Sequence, residues 1–256
     1  MSGVETQSPP EAWPDALEAA LAGCAILRRV HMIRETNSTQ DAARRMGARH
    51  GDVIVAWNQI AGRGRLGRAW ESGLEGIAVT FAVAAERGVR LTIAGAVAAA
   101  GAAEQFLGRP VGIKWPNDIE VDGRKLAGVL VEQDERIALP AIGMNVRQEA
   151  WPAALQGRAI SLAQLGARAD RVDVARALIE RMDAALAMSD EALVDAFMQR
   201  DVLTGATLTV RQGGREIEGV LARLDPLRGL ALRMADGREV WLDSATATLV
   251  NGPAAP

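Results

Sequence analysis

The sequence predicts an α+β fold, a mostly antiparallel sheet flanked by helices and followed by a small β-barrel. Three observations predict it. Short apolar, β-branched runs recur through the first two thirds of the chain, and two of them flank Asp122-Gly123, a two-residue hairpin signal. Amphipathic segments of helical period lie between those runs. From Leu203–Gly205 onward, strands of about five residues alternate with turn residues, which suggests a barrel.

In chain order, Pro14–Arg29 reads as a helix and Val30–Arg34 as a short strand. Thr36-Asn37-Ser38-Thr39 is a cluster of N-cap residues before a helix over Gln40–Met46. Asp52–Trp57 and Ile77–Ala84 read as strands, and Leu91–Leu107 as an alanine- and glycine-rich helix. Val111–Trp115, Ile119–Val121, Leu126–Glu132 and Ile137–Val146 are extended. Pro116 cannot donate to a ladder, so it marks an edge or a bulge. Arg171–Met188 and Asp190–Arg200 read as helices, the second capped by Ser189. The barrel strands are Ala206–Arg211, Glu216–Leu224, Gly229–Met234, Arg238–Leu242 and Thr246–Val250; Gly252–Pro256 reads as frayed. Hairpins mixed with helices favour an antiparallel sheet over a doubly wound one. The divisions are an N-terminal extension and helix over 1–29, a larger α+β domain over 30–202 and a barrel over 203–256.

The chain has 256 residues, 49% hydrophobic and 24% charged, so a sizeable core is within reach. A formal net charge of −3 gives no bulk attraction to nucleic acid or an anionic membrane. The single cysteine, Cys24, excludes an internal disulfide and fits a reducing compartment; its flanks Ala22–Leu27 resemble a helix end, which favours a packed thiol over a nucleophile. Met1–Pro10 is polar and lacks a signal-peptide pattern, and Leu91–Leu107 is short of the ~20 residues of a membrane span. The expected location is cytoplasmic.

Gly62-Arg63-Gly64-Arg65-Leu66-Gly67-Arg68 satisfies the dinucleotide fingerprint in letters only. A strand rather than a helix follows it, so no helix N-terminus waits for a pyrophosphate. The loop carries three arginines and no acid of its own. Glycines permit close backbone approach and guanidinium groups bind phosphate oxygens bidentately, so the pattern points to a loop that orders over a phosphorylated ligand. A solvated hairpin loop is the plainer alternative. Lys114-Trp115-Pro116-Asn117-Asp118 and Arg124-Lys125-Leu126-Ala127-Gly128 flank the hairpin, placing two lysines, an amide and a carboxylate near one sheet surface. With the loop they describe cations converging on phosphate plus a carboxylate for Mg²⁺.

These motifs, with Gln59-Ile60-Ala61 and Ala69-Trp70 around the loop and Gly143-Met144-Asn145-Val146 further on, occur in the order found in biotin protein ligases. The chain resembles that family from about Glu35 to its end. The resemblance implies the fold shared by class II aminoacyl-tRNA synthetases and biotin synthetases, with an SH3-like barrel behind it. It implies activation of biotin by ATP to biotinyl-5′-AMP, then transfer to a lysine of the biotin carboxyl carrier domain of acetyl-CoA carboxylase or a related carboxylase. Ser38, Thr39, Gln59 and backbone at Gly62 and Arg63 would hold the ureido head, with Gly128 beside Lys125 in the biotin site. Lys125 would bridge the biotin carboxylate and the α-phosphate. Arg63 and Arg65 would order the loop and offset phosphate charge, with Arg68 and Asn117 also on the nucleotide side. Trp70 would stack on adenine and Asn145 would bond its edge. Asp118 would hold Mg²⁺ or orient the acceptor lysine.

No enzyme nucleophile and no tightly bound prosthetic group are implied; His31 and His50 lie outside the motifs. Ser38 and Thr39 also read as helix caps, and Trp70 as a core residue. Only about thirty residues precede the motifs, so the DNA-binding domain of repressor members, and operator binding with it, are not expected. Family members include homodimers. The segment Glu75-Gly76-Ile77-Ala78-Val79-Thr80, within Ser72–Thr80, departs from the more usual Asn-Leu-Tyr-type strand entry, and the chain has no tyrosine. The rivals are a lipoate or octanoate ligase on the same fold and a non-catalytic binder of biotinyl-5′-AMP.

Overall fold

The computed structural model describes residues 8–71, 73–85 and 88–251. Met1–Gln7 of the polar start, Ser72 and the tail Gly252–Pro256 lie outside the described residues.

The main sheet is mixed and mostly antiparallel. Its strands are β1 (Arg29–Thr36), β2 (Asp52–Gln59), β5 (Gly76–Phe81), β6 (Val83–Ala84), β7 (Gly112–Lys114), β8 (Asp118–Val121), β9 (Arg124–Gln133) and β10 (Ile137–Asn145). The order across the sheet is β1-β2-β5-β10-β9-β8-β7, with β6 also on β10. Only β1 and β2 pair in parallel, Arg29 opposite Asp52 through Thr36 opposite Gln59. That crossover is made by α2 (Thr39–Met46), for which Ser38 Oγ accepts the Gln40 N–H and Gly47 supplies the left-handed cap. The Asp122-Gly123 turn joins β8 to β9 with φ of 51° and 68°, as its sequence predicts. The Trp115-Pro116 peptide is cis and lies in the turn after the edge strand β7, while the bulge falls later, between Ile119 and Glu120.

Strand alternation gives the sheet two apolar faces. Val53, Val55, Ile77 and Val79 face the main core, whereas Ile54 turns the other way to Ala42 and Ala43 of α2. The main face is covered by α3 (Gly88–Leu107), whose small residues let it approach closely. At Gly95 a Cβ would come within 2.8 Å of Val129 Cγ1, so α3 depends on glycine there. α4 (Arg171–Ala187) and α5 (Asp190–Met198) form the next layer, and Ser189 caps α5 by accepting the Ala192 N–H.

One helix is shorter than its periodicity predicts. α1 covers only Trp13–Ala20, not Pro14–Arg29, and Ala22–Leu27 lies outside it. The cause is a carboxylate distant in sequence: Asp183 of α4 accepts the N–H groups of Ala25, Ile26 and Leu27, each at 2.8 Å. Those amides therefore need no helical carbonyls. Cys24 still packs on the core, its thiol bonded to Ala20 O.

Arg171 is fully buried at the start of α4, against the touching indoles of Trp13 and Trp57 at 5.1 and 5.0 Å. It donates to Gly76 O and Trp57 O, fixing the entry of β5 against the end of β2. Burial pushes its guanidinium down to about 10, still protonated at neutral pH.

The last strands, β11 (Thr207–Gln212), β12 (Arg215–Asp225), β13 (Gly229–Arg233), β14 (Glu239–Asp243) and β15 (Thr248–Asn251), form an antiparallel sheet in the order β14-β13-β12-β11-β15. It joins the main body where Trp115 Nε1 donates to Pro226 O, 3.3 Å away. No described helix is long and apolar enough to cross a membrane.

Candidate active site

One pocket gathers most of the residues marked by the sequence. Ser38, Thr39, Gln59, Arg63, Arg65, Trp70, Asn117, Lys125 and Gly128 all line it. The pocket opens over the centre of the sheet, and its floor is Ala78, Val129, Leu130, Ala141, Ile142 and Gly143 from β5, β9 and β10.

At the N-terminus of α2 the polar groups are held in a chain. Thr80 Oγ1 donates to Thr39 Oγ1 at 2.7 Å, and the Thr39 hydroxyl and N–H both donate to Gln59 Oε1. This leaves the Gln59 amide nitrogen to face the start of the loop, where a Cβ on Gly62 would lie 2.5 Å from it. Ser38 both caps α2 and lines the pocket, so capping and a place in the site coexist. Thr80 lies on β5, and its hydroxyl secures the Thr39–Gln59 contact. Sequence reading missed it, and missed Gln40 too. Gln40 is buried in the pocket wall and donates to Leu130 O and Leu139 O, bracing β9 against β10.

Across the floor stands the charged set. Asp118, Glu120, Lys114 and Lys125 share one sheet face through the pairings Lys114 opposite Asp118 and Glu120 opposite Lys125. Lys125 Nζ is 2.6 Å from Asp118 Oδ1 and 5.6 Å from the Trp70 ring centre. Lys114 instead pairs with Glu120 at 3.2 Å and does not line the pocket. Burial raises the Glu120 carboxyl above the usual range, against the pull of Lys114. Arg65 is half-buried and donates to Asn117 Oδ1 at 3.1 Å; burial lowers its guanidinium below the ordinary value, offset by Asp118. The Trp70 indole lies over Gly143, where a Cβ would overlap the ring, and its N–H is buried without a partner among the described residues.

The arginine loop is folded rather than open. Gly62–Arg63 (β3) pairs with Ala69–Trp70 (β4), with a single 3₁₀ turn at Arg65–Gly67 between them. No acid lies inside it, yet Arg63 is fully paired with acids outside it, Asp41 and Glu132. Arg68 is exposed and stands outside the pocket. Asn145 is buried and also outside it; its amide donates to Lys125 O and Ile160 O, which shapes the backbone under Lys125. Among the described residues no three His, Cys, Asp or Glu side chains gather as a metal cage. The pocket thus joins an uncharged hydrogen-bonding set, an apolar floor and a cation–indole set.

Residues 30–149 match the model of the biotin/lipoate A/B protein ligase family. They form a domain of that family. The chain is 36% identical over 155 residues to the bifunctional ligase/repressor BirA of Bacillus subtilis, covering 54% of this chain and 47% of that protein. It is 28% identical over 232 residues to the biotin–[acetyl-CoA-carboxylase] ligase of Mycobacterium tuberculosis, covering 83% and 86%. Against the Bacillus relatives the chain spans about half their length. A solved biotin protein ligase from Aquifex aeolicus, in complex with biotin and ATP, superposes with a TM-score of 0.79 at 26% identity over 87% of this chain and 99% of that one. The resemblance read from the motifs is borne out.

Proposed function

We propose that the chain is an ATP-dependent biotin protein ligase, forming biotinyl-5′-AMP and passing biotin to a lysine of a carboxylase biotin carrier domain. The observation that carries this is the single pocket in which Ser38, Thr39 and Gln59 share an apolar floor with Lys125, Arg65 and Trp70. A ureido ring has donors and acceptors that hydroxyls and an amide answer. A valeryl chain suits Ala78, Ala141 and Leu130. Its carboxylate would meet Lys125, which draws it to the α-phosphate and offsets the repulsion between two anions.

Arg65, anchored on Asn117, offsets charge that develops on phosphate, and Arg63 holds the loop beside it. Trp70 offers its face to adenine; Arg68 and Asn145 act from outside the pocket, Asn145 by holding the backbone at Lys125. Asp118 offers one carboxylate, which fits a Mg²⁺ that arrives with the nucleotide and retains phosphate and water ligands. The cation would offset phosphate charge when bound. The attacking groups are the biotin carboxylate and the carrier lysine, so the chain needs no nucleophile of its own.

We read 1–29 as an N-terminal extension, 30–202 as the catalytic domain and 203–256 as an SH3-like barrel, and place the protein in the cytoplasm without nucleic-acid partners. The test is acid-dependent exchange of pyrophosphate into ATP. Biotin should support it. Exchange with lipoate or octanoate alone would move the chain to the other branch of its family, and no exchange with any acid would leave a binding protein.

A further inference from the structure

The pairing of β2 with β5 ends before either strand does. Its last register pair is Ala56 opposite Ala78, yet β2 runs on to Gln59 and β5 starts earlier, at Gly76. Gln59 and Ala78 both line the pocket. On its outer side the end of β2 is held by β1, with Glu35 opposite Asn58 and Thr36 opposite Gln59. On the side facing β5 a side chain stands where the next rungs would fall. Arg171 Nε donates to Gly76 O at 2.7 Å, and Nη2 donates to Trp57 O. One guanidinium thus spans the two strands just past their last pair.

Energy alone does not call for a cation there. Burying a guanidinium carries a desolvation cost, and an apolar side chain of similar volume often stabilises as well. Arg171 is fully buried, and its Nη1 has no partner among the described residues. What an apolar side chain lacks is direction. The N–H groups of a guanidinium lie in one plane at fixed angles, so two of them set the distance between two carbonyls. Setting register is the best-attested use of a buried polar group. The anchor itself is fixed. Arg171 opens α4, whose cap Asp170 accepts the Val172 N–H, and Val172 and Val174 pack in the main core.

We propose that Arg171 is a positioning residue for the uncharged end of the pocket, a splint that sets the spacing of the ends of β2 and β5 and so the place of Gln59. The chain from Thr80 through Thr39 to Gln59 crosses from β5 by way of α2 to β2. A shift of either strand end therefore strains it, and a binding constellation tolerates only about 0.5 Å. On the ligase reading given above, that end receives the head of the acid. Lys125 stands on β9, two strands away from β5. The splint therefore acts on binding of the acid and not on the nucleotide.

The experiment compares wild type with Arg171→Met and Arg171→Lys in acid-dependent pyrophosphate exchange, with thermal unfolding of each. Met fills the volume without donors, and Lys keeps the charge as a point rather than a fork. In both, the KM for biotin should rise about tenfold, while kcat and the KM for ATP stay within about twofold. An unchanged KM for biotin in either folded variant overturns the splint, as does an equal rise in both KM values. If Arg171→Met does not fold, Arg171→Lys decides; if neither folds, Arg171 serves folding alone and the proposal falls. If another acid supports exchange in place of biotin, its KM is the one read. If wild type shows no exchange with any acid, the ligase reading fails, and a crystal structure of Arg171→Lys decides the splint. Carbonyls of Trp57 and Gly76 displaced by more than about 0.5 Å uphold it, and unmoved carbonyls overturn it.

Discussion

Lys125 Nζ lies 2.6 Å from Asp118 Oδ1 in a space that exists because residue 128 is glycine. A Cβ at Gly128 would stand 3.0 Å from both Cε and Nζ of Lys125 and 3.6 Å from Asp118 Oδ1. Lys125→Ala should raise the barrier to adenylate formation by about 3 kcal/mol, the loss of one charge contact in a closed site. Gly128→Ala keeps the lysine but displaces it, and should lose roughly tenfold. Biotin-dependent pyrophosphate exchange measures both. Wild-type exchange in Lys125→Ala would remove this residue from the chemistry.

Gly143 makes the corresponding space for Trp70. A methyl group there overlaps the indole, which must swing away from β10. If the ring stacks on adenine, Gly143→Ala should weaken ATP by about 1–3 kcal/mol, the usual worth of a base–aromatic stack. The KM for ATP should therefore rise at least several-fold while that for biotin stays within about twofold. Equal changes in both would make Trp70 a wall of the pocket and nothing more.

The Asp183 carboxylate organises a segment far from the pocket. It accepts the N–H groups of Ala25, Ile26 and Leu27, and its loss strands three donors at the edge of the core. Asp183→Ala should cost about 3 kcal/mol, since bonds to a charged acceptor contribute more than neutral ones. Denaturant unfolding measures it, with exchange activity per folded molecule unchanged. A loss below about 1 kcal/mol would show that water replaces the carboxylate there.

This segment also marks the limit of sequence reading. Strands β2, β5, β9 and β10 were legible because alternation and the Asp122-Gly123 turn are local signals. The end of α1 was not, because the carboxylate that ends it is 156 to 158 residues away. The same holds in the site. The loop, Lys125 and Asn117 could be marked from their residue types, but Arg63's partners are 22 and 69 residues distant, and no local pattern announces them. Thr80 and Gln40 look like ordinary strand and helix residues until the sheet brings Thr39, Leu130 and Leu139 to them. Their roles follow from topology rather than from spacing.

Removing Arg65 tests the division of labour in the loop. Arg65→Gly deletes the contact to Asn117 and the charge near Asp118, but leaves Arg63 paired with Asp41 and Glu132. Released adenylate should therefore rise, seen as labelling of lysines on bystander proteins. Labelling at the wild-type level would show that Arg65 does not hold the adenylate.

Cys24 gives a pH prediction with a definite sign. Burial first, then the carboxylates of Asp183 and Glu180, push its thiol from 9.0 up to about 11, against a smaller pull from Arg28. The thiolate is the reactive form, so alkylation of the folded protein should keep accelerating past pH 9 and level off only near pH 11. The folded state favours the protonated thiol, so this group's contribution to stability is intact below the unfolded-state value. It declines as pH rises through the folded one. Asp183→Asn removes the larger of the two carboxylate effects and should shift the alkylation profile to lower pH. Levelling near pH 9 in both proteins would show that the thiol is solvated like a free cysteine, and that its contact with Ala20 O does not persist in solution.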